Sequence, residues 1–385
     1  MLMKMKFESF LNISIFLISV LVQVVTIQYE SDGIISKIKY LICFVGILVG
    51  SVTLLHKKKN TVMVYELGKI LQICFVFLIV TVFFSLLAGK WNDRAATELI
   101  LMVLPIVYAF FLVNTLSVKQ INVCMGIILL ISMCAYLFDL HMGFGEFISA
   151  FFSMNPEASY SSLESSAFAG VSIALALYYL YYRNNKIFCL LSVLFVFFTF
   201  KRLAMLVVIL LIFLPKIVDC SKKITKKTLL LTKIFIIIFS VAYFMLLTPE
   251  VVSWVQNHWN FSLDNFTMGR SWRFRLVYKN PNFINTGLGS TWEFLHKYWD
   301  FSMEMDIVRL MLEVTPLGAF FLINNMLDIA KKNRYCFIVM IYLIFNLITS
   351  HSLANMFSWL MFYFIIGTIV YRGSTYHPKP IITIK

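Results

Sequence analysis

Three arginines fall within six residues at Arg270-Ser271-Trp272-Arg273-Phe274-Arg275, and Lys279 follows one turn later. In a helix Arg270 and Arg273 share a face at i, i+3, with aromatic residues filling much of the remainder. Guanidinium groups are permanently charged and grip phosphate oxygens in a two-pronged fork, so this face suits a phosphate or diphosphate. An interfacial amphipathic helix lying against lipid headgroups would use the same residues. Lys201-Arg202 is a second cationic pair, set between two apolar blocks. Side chains in such a place either extend to the headgroup level or line a cavity that holds an anion.

Groups able to move protons lie close by in sequence. They are His296, Glu293, Asp300, Glu304 and Asp306, joined by His141, His258 and His351. Glu304-Met305-Asp306 has the spacing of a paired-acid cation site, but one such pair in a long loop is a weak signal and no metal is assigned to it. Glu313 lies inside an apolar block, where a carboxylate needs a partner, a cavity or a proton. Pro281 to Gly289 is turn-rich, with Gly287 and Gly289 placed so that backbone N–H groups can approach an anion or a sugar. With no preceding strand and no third glycine it is not a dinucleotide-binding fingerprint. Five of the seven tryptophans (Trp254, Trp259, Trp272, Trp292 and Trp299) belong to the same stretch. They suit either an interfacial aromatic belt or a platform on which sugar rings stack.

The elements that must hold these residues are read from composition. The chain has 385 residues, 60% hydrophobic and 14% charged, with a mean hydropathy of +0.85. Ordinary soluble domains carry roughly a quarter charged residues, so a water-soluble globule is excluded. Apolar blocks near 10–28, 38–55, 70–89, 98–116, 121–140, 165–182, 186–200, 203–218, 228–247, 307–327, 335–349 and 352–371 have the length of helices that cross a hydrocarbon core. The expected fold is an all-α polytopic membrane protein of about twelve transmembrane helices. Residues 1–247 would hold nine of them, 248–306 a large external loop, and 307–385 the last three with a cytoplasmic tail. The basic, apolar start reads as a retained first span with no small-x-small cleavage site. The seven cysteines form no CxxC pair and read as small core hydrophobes.

Lys57-Lys58-Lys59, Arg183 with Lys186, the lysines of 216–227, and Lys331-Lys332-Asn333-Arg334 all fall in connections of one parity. The positive-inside preference makes that side cytoplasmic, together with both termini. The formal net charge of +14 is then an orientation signal. Nucleic acid need not be invoked as a partner, and the external side is slightly acidic apart from Lys201-Arg202 and the Arg270 cluster.

Three stretches carry a resemblance to a known family. They are Phe200-Lys201-Arg202-Leu203-Ala204-Met205-Leu206; Met268-Gly269-Arg270 through Trp272 to Asn280-Pro281 and Gly287-Leu288-Gly289; and Arg309-Leu310-Met311-Leu312-Glu313 to Gly318. In this order, over about the last half of the chain, they resemble the O-antigen and capsular polysaccharide polymerases of the Wzy type, relatives of the O-antigen ligases. Lys201 stands where that family often has Ser, Thr315 where it has the first glycine of Gly-x-x-Gly, and Glu304 where polymerases often have Asp and ligases His. The resemblance implies an integral-membrane, metal-independent glycosyltransferase without cofactor, located in the bacterial inner membrane. Donor and acceptor would both be undecaprenyl-diphosphate-linked oligosaccharides, with membrane lipid around them and a chain-length regulator as a further partner. Arg270 and Arg202 would hold the diphosphate, with Arg273 as helper and Glu304 or His296 as base. Lys201, Arg275, Trp272, Gly287, Gly289, Arg309 and Glu313 would line or orient the site. A ligase and a flippase for the same lipid-linked sugar are the competing expectations.

Overall fold

A computed structural model describes residues 7–28, 34–57, 60–152 and 163–372. Every regular element among them is a helix. Six helices are long and apolar enough to cross a membrane: α1 (Phe7–Gln28), α2 (Ile34–Lys57), α3 (Val64–Ala88), α4 (Arg94–Thr115), α5 (Val118–Asp139) and α10 (Lys226–Leu246). The others are α6 (Phe144–Phe152), α7 (Ser166–Tyr182), α8 (Lys186–Phe198), α9 (Arg202–Ile217), α11 (Pro249–Trp259), α12 (Leu263–Phe266), α13 (Arg270–Val277), α14 (Ser290–Trp299), α15 (Asp306–Glu313), α16 (Thr315–Ala330), α17 (Arg334–Thr349) and α18 (Met356–Arg372). Among the described residues the chain is thus all-helical, as a helical membrane protein would be, with six helices that meet the length and apolarity of a span.

Hydropathy is arranged as a lipid-facing protein requires. α7 and α18 are buried almost throughout and pack on each other, with α18 also against α4. A helix that is apolar all round belongs in such an interior. On α1 to α3 and α8 to α10 large apolar side chains point outward, among them Phe75, Leu86, Leu190 and Ile238. Contiguous exposed apolar surface of this extent suits a hydrocarbon solvent and would aggregate in water. Polar caps set several boundaries: Ser117 and Gln120 form a capping box at α5, and the Asn185 carboxamide accepts from the Ile187 and Phe188 N–H groups at α8.

The apolar block expected at 307–327 is not one helix. It breaks between α15 and α16 at Val314, and Thr315 has φ +70°. A β-branched residue in the left-handed region is strained by about 1–3 kcal/mol, which is why glycine suits such a position. Pro316 then enters at the first turn of α16, where its missing N–H is harmless. Counting apolar residues cannot detect this break, because both halves remain hydrophobic.

The 248–306 segment is a folded cap. Its helices α13 and α14 and the loop before α15 share a small core with the neighbouring ends of α10 and α15: Leu247, Phe274, Val277, Phe294, Leu295, Met303, Met305 and Val308. The Phe244 ring of α10 meets Phe274 edge-on at 5.1 Å, which ties the cap to the bundle.

Candidate functional site

The cap presents its cations from α13. Gly269, at φ +79°, turns the chain into that helix, and Arg270 and Arg273 emerge one turn apart on one face. Both converge on one carboxylate. Arg270 Nε donates to Glu304 Oε2 at 3.0 Å, and an Arg273 terminal NH donates to Oε1 at 2.7 Å. Burial alone would raise the Glu304 carboxyl, but the Arg273 hydrogen bond and the two guanidinium charges outweigh it and hold the group below its ordinary value. All three side chains stay partly open to solvent.

Lys201, at the tip of the α8–α9 hairpin, lies close enough to feel Glu164, Arg270 and Glu304, while burial lowers its ammonium pKa. The hairpin and the cap, far apart in sequence, therefore share one electrostatic neighbourhood. Arg202 is the exposed first residue of α9. Beside the arginines runs an aromatic row: Trp272 lies 5.6 Å from Phe301, Phe301 lies 6.4 Å from Trp299, and the Arg273 guanidinium sits 5.2 Å from the Phe301 centroid.

Arg275 does not join this group. It forms a two-pronged pair with Asp264, at 3.0 and 2.7 Å, and so braces α13 against α12. From sequence it is expected to line the substrate site, and the structure places it on Asp264, outside the Arg270–Glu304–Arg273 group.

A second, buried charge cluster lies beneath the cap. Arg309 is 2% exposed and pairs with Glu98 at 3.1 Å, Asp306 at 3.6 Å and Glu313 at 3.8 Å. Arg94 adds a second cation to Glu98 at 3.0 Å. Asp306 also accepts from the Ser352 and Leu353 N–H groups, both at 2.7 Å, and contacts His351 Nδ1 at 2.8 Å. The Asp306 charge raises the His351 pKa. Buried charges are tolerated only when so partnered. A substrate phosphate cannot reach Arg309 without dismantling the cluster, so its expected place in the substrate site is corrected to a structural one.

Glu313 is the link between this cluster and the cap. Its carboxylate accepts from the N–H groups of Gly289 and Thr291 at 2.9 and 3.1 Å and from the Thr291 hydroxyl at 2.6 Å, which caps the start of α14. In return the Asn285 carboxamide donates to the Leu312 and Glu313 carbonyls at 2.8 and 3.1 Å, satisfying the end of α15 where the helix breaks. Two helix ends therefore close each other. Glu313 holds a helix and a buried arginine, not a substrate.

The same contacts revise the two glycines. The Gly287 N–H goes to Asn285 Oδ1 at 2.8 Å, the Leu288 N–H to Thr81 Oγ1 at 3.1 Å, and the Gly289 N–H to Glu313. A Cβ on Gly287 would lie 2.5 Å from the Thr81 backbone, and one on Gly289 would lie 2.8 Å from Arg94 Cγ. Both glycines have positive φ. They permit close packing of the turn on α3 and α4, and their N–H groups are not free for an anion.

His296 stacks on Trp292 at 4.0 Å, and the Arg94 guanidinium lies 4.5 Å from the same indole. Its Nδ1 is buried with no hydrogen-bond partner among the described residues. His258 stacks on Trp254 and contacts its carbonyl, and Glu293 pairs with Lys90. Glu304 and Asp306 turn to different partners, so the Glu-x-Asp pair does not converge.

Asn285, Thr291, Glu98 and His351 complete the arrangement, and only His351 was a candidate from sequence. Glu98 carried a usable signal, since it too is a carboxylate at the edge of an apolar block. Asn285 and Thr291 carried none, being ordinary turn residues. Comparison with known protein families, with curated proteins and with solved structures gives no significant match.

Proposed function

We propose that the chain is an integral-membrane glycosyltransferase that polymerises polyprenyl-diphosphate-linked oligosaccharide repeat units on the outer face of the bacterial inner membrane. The observation that carries the reading is the Arg270–Glu304–Arg273 arrangement, open to solvent, with Lys201 nearby and an aromatic row beside it. Two guanidinium groups gripping one carboxylate suit a diphosphate of the same sign, and the aromatic row suits the apolar face of a sugar.

In this reading the donor diphosphate takes the place of Glu304 between the arginines. The acceptor hydroxyl oxygen bonds to the anomeric carbon while the bond from that carbon to the diphosphate oxygen breaks. The electron pair leaves with the diphosphate, whose growing charge Arg270 and Arg273 stabilise. Glu304, released from its two cations, regains proton affinity and accepts the hydroxyl proton. The Lys/Arg distribution supports placing both termini in the cytoplasm.

The interrupted α15–α16 helix favours a second reading, a transporter of the same lipid-linked sugar, because broken helices often build substrate sites. Here the freed helix ends are closed by Asn285 and Glu313, which favours the transferase. Deleting the gene in its own host separates the readings. A surface glycan cut to a single repeat unit is expected. Accumulation of unattached polymer, the ligase outcome, or loss of all external repeat units, the flippase outcome, would overturn the proposal.

A further inference from the structure

The end of the bundle remote from Arg270 carries another cationic cluster. Lys69 of α3, Lys233 of α10 and Lys331 at the end of α16 all reach the Asp328 carboxylate, at 3.8, 2.9 and 3.5 Å. Next to it Lys332 pairs with Glu66 at 2.9 Å, and the Tyr371 hydroxyl donates to Glu66 at 2.8 Å. The ammonium groups of Lys69, Lys331 and Lys332 stand 5.5, 4.9 and 5.1 Å from the Tyr65 centroid. Among the described residues four ammonium groups thus face two carboxylates.

The excess of two positive charges is partly shielded from water, since Asp328 is 12%, Lys233 16%, Lys69 20%, Lys332 27% and Lys331 33% exposed. Like charges at this spacing repel more strongly as the surroundings lose water, and an added anion relieves that cost. Lys233 stands two turns inside α10, and the outward face of that helix is Leu230, Leu231, Ile234 and Phe235. Across α16, which both helices pack against, α3 turns Leu71 and Phe75 outward. Cations at the foot of two apolar, outward-facing helices match a ligand that is anionic at one end and hydrocarbon along the rest.

We infer that Lys69, Lys233 and Lys331 form a binding site for the phosphate of an anionic phospholipid, wedged between α3 and α10 against α16. The net positive charge selects a lipid whose headgroup is anionic over a zwitterionic one, although both carry a phosphate. The apolar helix faces select a lipid over free phosphate.

The purified full-length chain in detergent, examined by native mass spectrometry with equal amounts of phosphatidylglycerol and phosphatidylcholine, tests this. Phosphatidylglycerol adducts should survive activation preferentially, and Lys233→Met or Lys69→Met should each weaken their retention about fivefold. Asp328→Asn, which removes a negative charge while leaving the lysines, should preserve or increase retention, and a cluster serving only to brace the helices would lose it. Equal retention of the two lipids, undiminished phosphatidylglycerol retention in both lysine variants, or displacement of the lipid by millimolar inorganic phosphate would each overturn the inference.

Discussion

Arg270 and Glu304, 34 residues apart in the chain, are joined by an Nε–H···O bond of 3.0 Å at the open face of the cap, and Arg273 completes the grip at 2.7 Å. In the proposed reaction the donor phosphate takes the place of this carboxylate, which would then compete with the anionic ligand and serve as the base once displaced. Glu304→Gln keeps the shape and removes both properties. Turnover of lipid-linked repeat units is expected to fall about 10²- to 10⁴-fold, the range of a lost general base, while the apparent affinity for the diphosphate carrier holds or rises. Initial rates at several donor concentrations separate the two effects, and a rise in KM with unchanged kcat would argue against the base.

Acid should loosen the cap. Glu304 and Asp264 are both held below the ordinary carboxylate range, Glu304 by Arg273 and Arg270, and Asp264 by Arg275 and Ser271. A depressed folded-state value means that the stabilisation is fully present above the unfolded value near pH 4 and is lost as pH falls through the folded one. Tryptophan fluorescence of the cap, which holds five of the seven tryptophans, should therefore report opening only below about pH 4. Asp264→Asn should weaken the cap at neutral pH and flatten that acid-dependent loss. An unchanged acid profile in the variant would remove Asp264 from the explanation.

The exchange between Asn285 and Glu313 predicts an unequal pair of variants. Glu313→Ala strips three hydrogen bonds from the start of α14 and one carboxylate from buried Arg309, a loss on the order of 3–5 kcal/mol for breaking a buried ion pair. Thr291→Val removes one hydroxyl bond and should cost about 1 kcal/mol. Thermal unfolding of the detergent-solubilised chain gives the order directly, and equal midpoints would contradict it.

Much of the helical framework is legible from hydropathy, because a hydrocarbon solvent demands apolar side chains in long uninterrupted blocks. The break at Val314–Thr315 escapes that reading, since one left-handed residue alters direction without altering composition. The face shared by Arg270 and Arg273 follows from i, i+3 spacing alone. Their partner Glu304 does not, because it arrives from beyond the turn at Pro281–Gly289 and the whole of α14. Arg309 and Glu98 are 211 residues apart, and their pairing depends on α14, which packs on both α15 and α4, bringing the two within side-chain reach. Arg309, Gly287 and Gly289 look like ligand contacts when residue type is weighed without packing, yet Arg309 is buried among three carboxylates and the N–H groups of both glycines bond within the protein.

The two glycines should differ in cost. Alanine at Gly287 meets the Thr81 Cα at 2.5 Å, while at Gly289 it meets Arg94 Cγ and Cβ at 2.8 and 2.9 Å, a looser contact with no backbone atom nearer than 3.4 Å. Both positions have positive φ, so each substitution is strained, but only the first also forces α3 to move. Gly287→Ala is expected to destabilise by about 2 kcal/mol or more and Gly289→Ala by about half that. The reverse order in unfolding midpoints would show that the turn does not pack on α3 as described.

Arg270→Ala bears most directly on the proposed chemistry. In the native host, with the variant expressed from the native locus and its membrane abundance checked by immunoblot, the surface polysaccharide should collapse from a long-chain ladder to a single repeat unit while the protein accumulates normally. A normal ladder in that strain would contradict the assignment of Arg270 to the diphosphate and, with it, the proposed site.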